Sequence, residues 1–284
     1  MSGFSADWLA LREPADHAAR NRDILSEVAA HFAGADHLSI IDLGCGAGSN
    51  LRGAALALPA SRQSWTLIDY DPTLLAVARD RLAAWADRAE SQGEELLIEK
   101  AGKEIAVDFR RADLNADVDR VLGWRPDLVT AAALFDLVSA DWIDRFVASL
   151  ARHRLPLYTV LTYDGREEWT PPHALDAGIH RAFLEHQRRD KGFGPSAGPD
   201  AISRMASAFA ASGYRVATGD SPWRLGAREA SLAEELIAGI AQAAGETGFA
   251  PDGVAAWREA RLASLAQSDS SPLVGHLDLW ARPA

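Results

Sequence analysis

The sequence predicts an α/β fold in which helices flank a mostly parallel sheet of seven strands. Between residues 38 and 162, short apolar stretches alternate with longer helical stretches, and this alternation implies right-handed crossovers and parallel strands. The first apolar stretch runs into three glycines at alternate positions, a pattern typical of a strand that turns tightly into a helix. The chain has 284 residues, of which 48% are hydrophobic, so we expect a well-packed core.

The predicted strands are short and apolar, and the last two are widely separated from the others. They cover residues 38–43, 65–68, 105–109, 127–133, 155–162, 214–218 and 274–281. We expect the third strand to be the second arm of a hairpin over 94–109 that turns at 100–103. The stretch 127–133 is almost wholly apolar, as a strand covered on both faces should be.

Helices are predicted where apolar residues recur every three to four positions. The first covers residues 14–32, with Ile24, Val28 and Phe32 on one face and Gly34 as its stop. The other predicted helices cover residues 49–58, 72–88, 117–122, 173–189, 200–212, 229–244 and 252–266, and one more begins at Ser139.

Four regions follow from this order of elements. Residues 1–37 form an N-terminal helical segment, and residues 38–162 form the core. Residues 163–199 leave the strand–helix rhythm and predict a helical insertion or lid. Residues 200–284 complete the sheet and carry a second helical insertion over 219–271.

Composition excludes several classes of protein. The net charge of −11 argues against a protein that binds nucleic acid, which needs a basic face. The single cysteine, Cys45, excludes internal disulfides and a cysteine-based zinc site, and we expect no metal. The start has no signal-peptide pattern, and the longest apolar run, near 128–135, is too short to span a bilayer. We therefore expect a cytoplasmic protein without a membrane partner.

The glycine stretch is the most informative motif. It reads Asp42-Leu43-Gly44-Cys45-Gly46-Ala47-Gly48 after an apolar strand. Glycines let a ligand approach the backbone, and a helix start presents free N–H groups to it. A dinucleotide fold prefers G-x-G-x-x-G, but Ser49 stands at the third glycine position.

With its acid, its glycine spacing and its preceding strand, this stretch resembles motif I of the class I S-adenosylmethionine-dependent methyltransferases. The resemblance extends well over residues 38–162. It implies a Rossmann-like fold, S-adenosylmethionine as cofactor, and transfer of the cofactor's methyl group. It assigns the following residues of the motif to the cofactor site: Asp42, Gly44, Cys45, Gly46 and Asn50.

Two further strand ends carry residues that match cofactor positions of the family. Asp69 matches the acid that binds the ribose diol, and Tyr70 would lie beside the adenine. Asp113 and Leu114 match the acid and the neighbouring residue at the adenine ring. Alternatives stay open, because Asp69 can simply end a strand and Asp113 can cap the next helix. NAD binding uses the same ribose acid, so Asp69 does not separate the two cofactors.

The residues after the fourth strand lie where the family places the transferred methyl. The resemblance assigns Ala133 to the cofactor site and Phe135 to the substrate site. Asp136 is the candidate catalytic residue, since it can orient or deprotonate an acceptor, but it can equally be a turn residue.

Other polar residues are weaker candidates. Tyr163, His186 and Lys191 are predicted to line the substrate pocket, although cations near a helix end also stabilise that end. Either Arg12 or Arg20 can meet the carboxylate of the cofactor's methionine part, or be a surface arginine.

The function implied by the resemblance is methyl transfer to an oxygen or nitrogen of a small molecule, because helical insertions at the substrate edge favour an enclosed pocket. Two alternatives remain. An NAD-dependent oxidoreductase would share the glycine loop and Asp69. A non-catalytic, methyltransferase-like scaffold would lack an acceptor pocket and would use residues 219–271 as an apolar surface. That region provides either a second pocket wall or a surface for a homodimer.

Overall fold

The computed structural model describes residues 4–267 and 270–284. Residues 1–3 of the predicted N-terminal segment and residues 268–269 of the second predicted insertion lie outside the described residues. The described residues form one sheet of ten strands. These are β1 His37–Leu43, β2 Arg62–Asp69, β3 Arg88–Gln92, β4 Glu95–Lys100, β5 Lys103–Arg111, β6 Leu128–Ala132, β7 Leu157–Glu168, β8 Tyr214–Asp220, β9 Trp223–Arg224 and β10 Leu273–Pro283.

The strand order is β3-β4-β5-β2-β1-β6-β7-β10-β8, with β9 paired to β10. Strands β5, β2, β1, β6 and β7 are mutually parallel, and β10 runs antiparallel to both β7 and β8. The Rossmann-like, mostly parallel core is as predicted, but the expected count of seven strands is wrong. The first hairpin arm joins the sheet as β4, β3 is added beyond it, and β9 is a two-residue strand. Strand β3 could not be predicted from the sequence, because all five of its residues are exposed and the strand therefore has no alternation of apolar and polar residues.

Ten α-helices are described. They are α1 Ala6–Ala19, α2 Arg22–His31, α3 Ser49–Ala54, α4 Pro72–Trp85, α5 Leu114–Leu122, α6 Ala140–His153, α7 Asp176–Gln187, α8 Ala201–Ala211, α9 Ala230–Glu246 and α10 Pro251–Leu265. Helices α5, α6 and α8 pack on one face of the sheet, and α2, α3 and α4 pack on the other.

The predicted single helix over 14–32 is wrong, because α1 and α2 are separate helices. Asn21 divides them: its side-chain oxygen accepts hydrogen bonds from the backbone N–H groups of Asp23 and Ile24, at 3.1 and 3.0 Å. A side chain that caps a new helix start competes with continuation of the previous helix. The break lets α1 cross the glycine turn while α2 packs under the sheet.

The helices that begin after the carboxyl ends of β2 and β5 have the caps that their sequences allow. Asp71 accepts a hydrogen bond from Thr73 N at 2.8 Å, and Pro72 occupies the first turn of α4, as predicted. Helix α4 ends at Trp85 rather than near Arg88, where β3 begins. Asp113 caps α5 through Asn115 N at 2.9 Å.

The two predicted helical insertions meet in space. Helices α7, α9 and α10 share a separate apolar cluster, formed by Ile179, Ala182, Ile237, Ile240, Ala241, Ala244 and Trp257. We call these three helices the cap. The cap rises from the extended end of β7, which continues to Glu168 instead of stopping near Thr162.

Candidate active site

A cavity of about 900 Å³ lies at the carboxyl ends of β1, β2, β5, β6 and β7. Helix α1 and the cap helices α7 and α9 cover it. Its volume is in the range of small-molecule sites in proteins. Ligands of open α/β sheets bind at this edge, so the cavity is the candidate active site.

The glycine turn forms the first wall of the cavity. Gly44, Gly46 and Gly48 all have positive φ, of +63°, +50° and +75°, which L side chains rarely adopt. A Cβ on Gly46 would lie 3.0 Å from Leu9 on α1, so α1 packs directly on the turn. A Cβ on Gly48 would lie 3.3 Å from Ala78 Cβ, so the third glycine allows α3 and α4 to approach.

Asp42 lies under the turn and does not line the cavity. It is fully buried, and its Oδ1 accepts a hydrogen bond from Asn50 Nδ2 at 2.6 Å. Asn50 lines the cavity and also donates to Thr130, at 3.0 Å, while Arg20 donates to Asn50 Oδ1 at 2.7 Å. Burial raises the pKa of Asp42 to about 7. Asp42 therefore holds the Asn50 side chain in position, and Asn50 is the residue of this pair that lines the cavity.

Cys45 is buried in the same turn. Its backbone N–H donates to Ile68 O at 2.9 Å, and burial raises the pKa of its thiol well above the ordinary value. A thiol held in its neutral form is a poor nucleophile. Its place is explained by the small size that the turn requires.

Asp69 stands at the end of β2 with both carboxylate oxygens engaged. Gly46 N donates to Oδ2 at 2.8 Å, and Asp71 N donates to Oδ1 at 3.0 Å. Burial raises the pKa of Asp69 despite these bonds. The next residue, Tyr70, is 47% exposed, and the Arg111 guanidinium lies 5.2 Å from its ring centroid.

Residues 113–114 and 132–137 form the neighbouring walls. Asp113 and Leu114 line the cavity, so Asp113 can cap α5 and still face a ligand. Ala133 also lines the cavity and has a positive φ of +51°.

Phe135 and Asp136 point to different environments, although they are adjacent in the 3-10 turn Phe135–Leu137. Phe135 is completely buried in the core between Trp142 and Phe146, with ring centroids 6.2 and 5.3 Å away. It does not line the cavity, so its assignment to the substrate site is wrong. The reason is that the turn rotates it under the sheet edge, against α6.

Asp136 does line the cavity. Its Oδ1 is buried and has no hydrogen-bond partner within the described residues. Burial raises the pKa of Asp136 to about 6, against the opposing effect of Arg12 and Lys191. A carboxyl with a pKa near neutrality can accept a proton at working pH.

The far end of β7 and the beginning of β10 supply a third wall. The Tyr163 hydroxyl donates to Glu167 Oε1 at 3.0 Å, and burial raises the pKa of both groups. His276, which is 5% exposed, contributes an Nδ1 that has no hydrogen-bond partner in the described part of the chain. Burial, and secondarily Arg12, lowers the pKa of His276 to about 3, so its imidazole is neutral.

The remaining predicted pocket residues, His186 and Lys191, also line the cavity. His186 Nε2 lies 2.9 Å from Glu246 Oε2, and this pair joins α7 to α9. Burial lowers the pKa of Lys191.

Helix α1 is held over the cavity by polar contacts. Arg52 on α3 binds Glu13 through two hydrogen bonds of 2.7 Å, and His17 Nε2 lies 3.0 Å from Ser49 Oγ. Arg12 binds Asp16 on its own helix at 2.8 and 3.1 Å. The contacts of Glu13 and His17 with α3 hold α1 beside the glycine turn and so close that side of the cavity.

Sequence reasoning missed many cavity residues, among them the polar or aromatic residues Trp8, Asp16, Glu167 and His276. His276 and Asp278 interrupt the otherwise apolar final strand, and this interruption was an available signal. Asp16 accepts a hydrogen bond from Trp223 Nε1 at 2.9 Å. The two residues are far apart in the sequence, so no local pattern predicts this contact.

Within residues 4–267 and 270–284, no group of His, Cys, Asp or Glu side chains is arranged to hold a metal ion. No described helix combines the length and apolar character needed to cross a bilayer.

Several solved structures are similar to this chain. A cyclopropane-fatty-acyl-phospholipid synthase-like protein from Lactobacillus casei matches with a TM-score of 0.54 at 16% identity, covering 98% of this chain and 94% of that chain. The cyclopropane synthase MmaA2 from Mycobacterium tuberculosis gives 0.49 at 12% identity, covering 96% and 94%. An S-adenosylmethionine-dependent methyltransferase from Geobacter sulfurreducens, solved with S-adenosylhomocysteine, gives 0.46 at 16% identity and covers 100% of both chains. No protein-family model and no curated protein matches the sequence. The first match supports the Rossmann-like fold over nearly the whole chain.

Proposed function

We propose that this protein, which has the Rossmann-like fold of the class I S-adenosylmethionine-dependent methyltransferases, binds S-adenosylmethionine and methylates an oxygen or nitrogen of a small molecule. The observation that carries this proposal is that three strand ends meet in one covered cavity. The end of β1 contributes the glycine turn, the end of β2 contributes Asp69, and the end of β5 leads to Asp113 and Leu114. This is the set of cofactor contacts that the sequence resemblance implies.

The hydrogen bonds of the glycine turn favour this cofactor over a dinucleotide. A pyrophosphate needs free backbone N–H groups at the turn. Here the N–H of Cys45 donates to Ile68, and that of Gly46 donates to Asp69. The acid Asp69 also lies beside the turn and lines the cavity. Its negative charge disfavours a phosphate and suits the positive sulfonium of S-adenosylmethionine.

Each cofactor group has a proposed partner. Asp69 would accept hydrogen bonds from the ribose diol, and Tyr70, Asp113 and Leu114 would surround the adenine. For the methionine carboxylate we favour Arg20 over Arg12. Arg20 lines the cavity, and its Nε and Nη1 have no hydrogen-bond partner among the described residues, whereas Arg12 is bound by Asp16.

The bound cofactor would supply an activated methyl group, because its sulfur carries a positive charge. The protein then mainly has to position the acceptor in line with that methyl and exclude water. Helix α1 and the cap enclose the cavity for this purpose. Asp136 would take a proton from the acceptor, and the enclosed volume favours a small acceptor over a macromolecule.

Calorimetry with S-adenosylmethionine, S-adenosylhomocysteine and NAD tests the cofactor. We expect the first two to bind the wild type, and Asp69→Ala to weaken both at least tenfold because the ribose diol loses its acceptor. The matched control is Asp80→Ala, which removes an exposed acid on α4 outside the cavity and should bind like wild type. Binding of NAD alone would replace this proposal with hydride transfer, and binding of none of the three would favour the scaffold.

A further inference from the structure

One wall of the cavity has no role in the proposed binding of the cofactor. It is formed by Asp136 after β6, Glu167 on β7 and His276 on β10, so three separate elements bring it together. Because the segment 133–136 follows β6 beside the glycine turn, this wall is where an acceptor would meet the transferred methyl under the proposed function.

Two polar atoms of this wall lack partners. Asp136 Oδ1 and His276 Nδ1 are both buried without a hydrogen bond from any described residue. Buried polar atoms are normally satisfied, and leaving them unpaired costs free energy. A ligand that donates a hydrogen bond would recover that free energy at Asp136 Oδ1, and also at His276 Nδ1 in the tautomer that carries its proton on Nε2. The wall is therefore built for a donor group.

The charges of the wall favour a positive donor. Asp136 and Glu167 are acids, and His276 is held neutral by burial. Two cations act on Asp136, namely Arg12 and Lys191. The Asp16 carboxylate binds Arg12 at 2.8 and 3.1 Å and balances its charge, so Lys191 faces two acids, Asp136 and Glu167. The acidic groups therefore predominate.

Aromatic rings complete the surroundings. Trp223, which is 3% exposed, lies 5.0 Å from the His276 ring, and Tyr163 lies 6.0 Å from Phe183. All four line the cavity. Faces of aromatic rings attract cations, most strongly where water is excluded. The Arg12 guanidinium already lies 4.8 Å from the Trp223 ring centroid, so Tyr163 and Phe183 are the rings left for a ligand cation.

We infer that the acceptor is a small amine, which binds as its ammonium form with the nitrogen at Asp136 Oδ1 and His276 Nδ1. The inference rests on the proposed function and specifies its substrate class. Asp136 takes one proton from the ammonium, which leaves a lone pair on nitrogen. The nitrogen–carbon bond forms as the carbon–sulfur bond breaks, its electron pair goes to sulfur, and the proton on Asp136 passes to solvent after product release.

The test compares three probes of similar shape: 2-phenylethylamine, 2-phenylethanol and 3-phenylpropanoate. Their binding is measured by calorimetry with and without S-adenosylhomocysteine, on wild type, Asp136→Asn and Asp141→Asn. Asp141 is the matched control, because it is an exposed acid at the start of α6 and outside the cavity. Methyl transfer to each probe is followed with labelled S-adenosylmethionine.

We expect wild type and Asp141→Asn to bind the amine at least tenfold more tightly than the alcohol. Asp136→Asn should lose this preference for the amine and should still bind S-adenosylhomocysteine. Labelled methyl should appear only on the amine. The inference is overturned if the alcohol or carboxylate binds as tightly, if either accepts the methyl, if Asp136→Asn keeps the preference, or if no probe binds. The proposed function itself fails if the wild type does not bind S-adenosylhomocysteine, and this result is separate from the binding of the three probes.

Discussion

At the scale of single residues, the role of each acid depends on whether its side chain faces the cavity or lies beneath it. Asp42 belongs to the glycine motif but is buried below it and holds Asn50. Asp69 ends the next strand and faces the cavity, although both its oxygens also bind backbone N–H groups. Asp136 faces the cavity with an unpaired oxygen. The three acids share a raised pKa because burial acts on each of them.

The buried carboxyl of Asp42 should make stability depend on pH. Its pKa is raised from 3.8 to about 7 in the folded chain, so the folded state binds the proton more tightly than the unfolded state. Its contribution to stability is present below pH 4 and is lost as pH rises through 7, by roughly 4 kcal/mol at most. Asp42→Asn keeps an oxygen for Asn50 and removes this titration.

The measurement is urea unfolding of wild type and Asp42→Asn between pH 4.5 and pH 8. The wild type should lose stability relative to the variant as pH rises. Asp80→Asn, at an exposed position, should follow the wild type throughout. Parallel curves for wild type and Asp42→Asn would show that the Asp42 carboxyl keeps its ordinary pKa.

At the scale of elements, the site is assembled by close approach of helices to one turn. Leu9 of α1 packs on Gly46, and Ala78 of α4 packs against Gly48. Ser49 replaces the glycine that a dinucleotide fold uses for helix packing, and Gly48 provides the close approach instead. The spacing of the glycines is thus explained by packing as well as by ligand access.

Gly48→Ala should therefore destabilise the protein more than an alanine at an uncrowded glycine. Both Gly48 and Gly34 have positive φ, +75° and +88°, so alanine is strained at each by about 1 kcal/mol. Only at Gly48 does the new Cβ meet a neighbour, 3.3 Å from Ala78, which adds roughly 1–3 kcal/mol. Thermal and urea unfolding of the two variants measure the difference. Equal losses would mean that α3 and α4 separate freely.

At the scale of the whole molecule, two distant insertions form one cap over the cavity. Besides the apolar cluster, an ion pair joins them: Arg261 on α10 is buried and donates to both carboxylate oxygens of the half-buried Asp176 on α7. Trp257 also donates to Asp176, at 2.8 Å, and Arg261 donates to Pro171 O at 2.6 Å. This network ties the cap to the end of β7.

Breaking this pair should loosen the cap. Arg261→Met removes the cation that binds the half-buried Asp176 carboxylate, and losing a hydrogen-bonded charged partner typically costs about 1.5–3 kcal/mol. Hydrogen exchange should rise in α7 and α10 before it rises in β1 and β2, because the cap has its own core. Arg258→Met, an exposed position on α10, is the control and should change neither. Uniform acceleration across the sheet would show that cap and sheet open together.

Short stretches of sequence are enough to predict several local parts of this protein. The strand before Gly44, the acid at the end of the next strand, the hairpin turn at 100–103 and the caps Asp71 and Asp113 are local patterns, since each needs only neighbouring residues. The resemblance to the methyltransferases rests on those same stretches, and the fold agrees with it.

Which side chains share the cavity depends on contacts that form only in the folded chain. Phe135 and Asp136 are neighbours in sequence, yet one packs in the core and the other faces the ligand space. Glu167, His276 and Asp16 reach the cavity because β7 is long, β10 inserts between β7 and β8, and α1 breaks from α2 at Asn21. The physical reason is that burial and pairing come from contacts between residues far apart in the chain, which no local periodicity records.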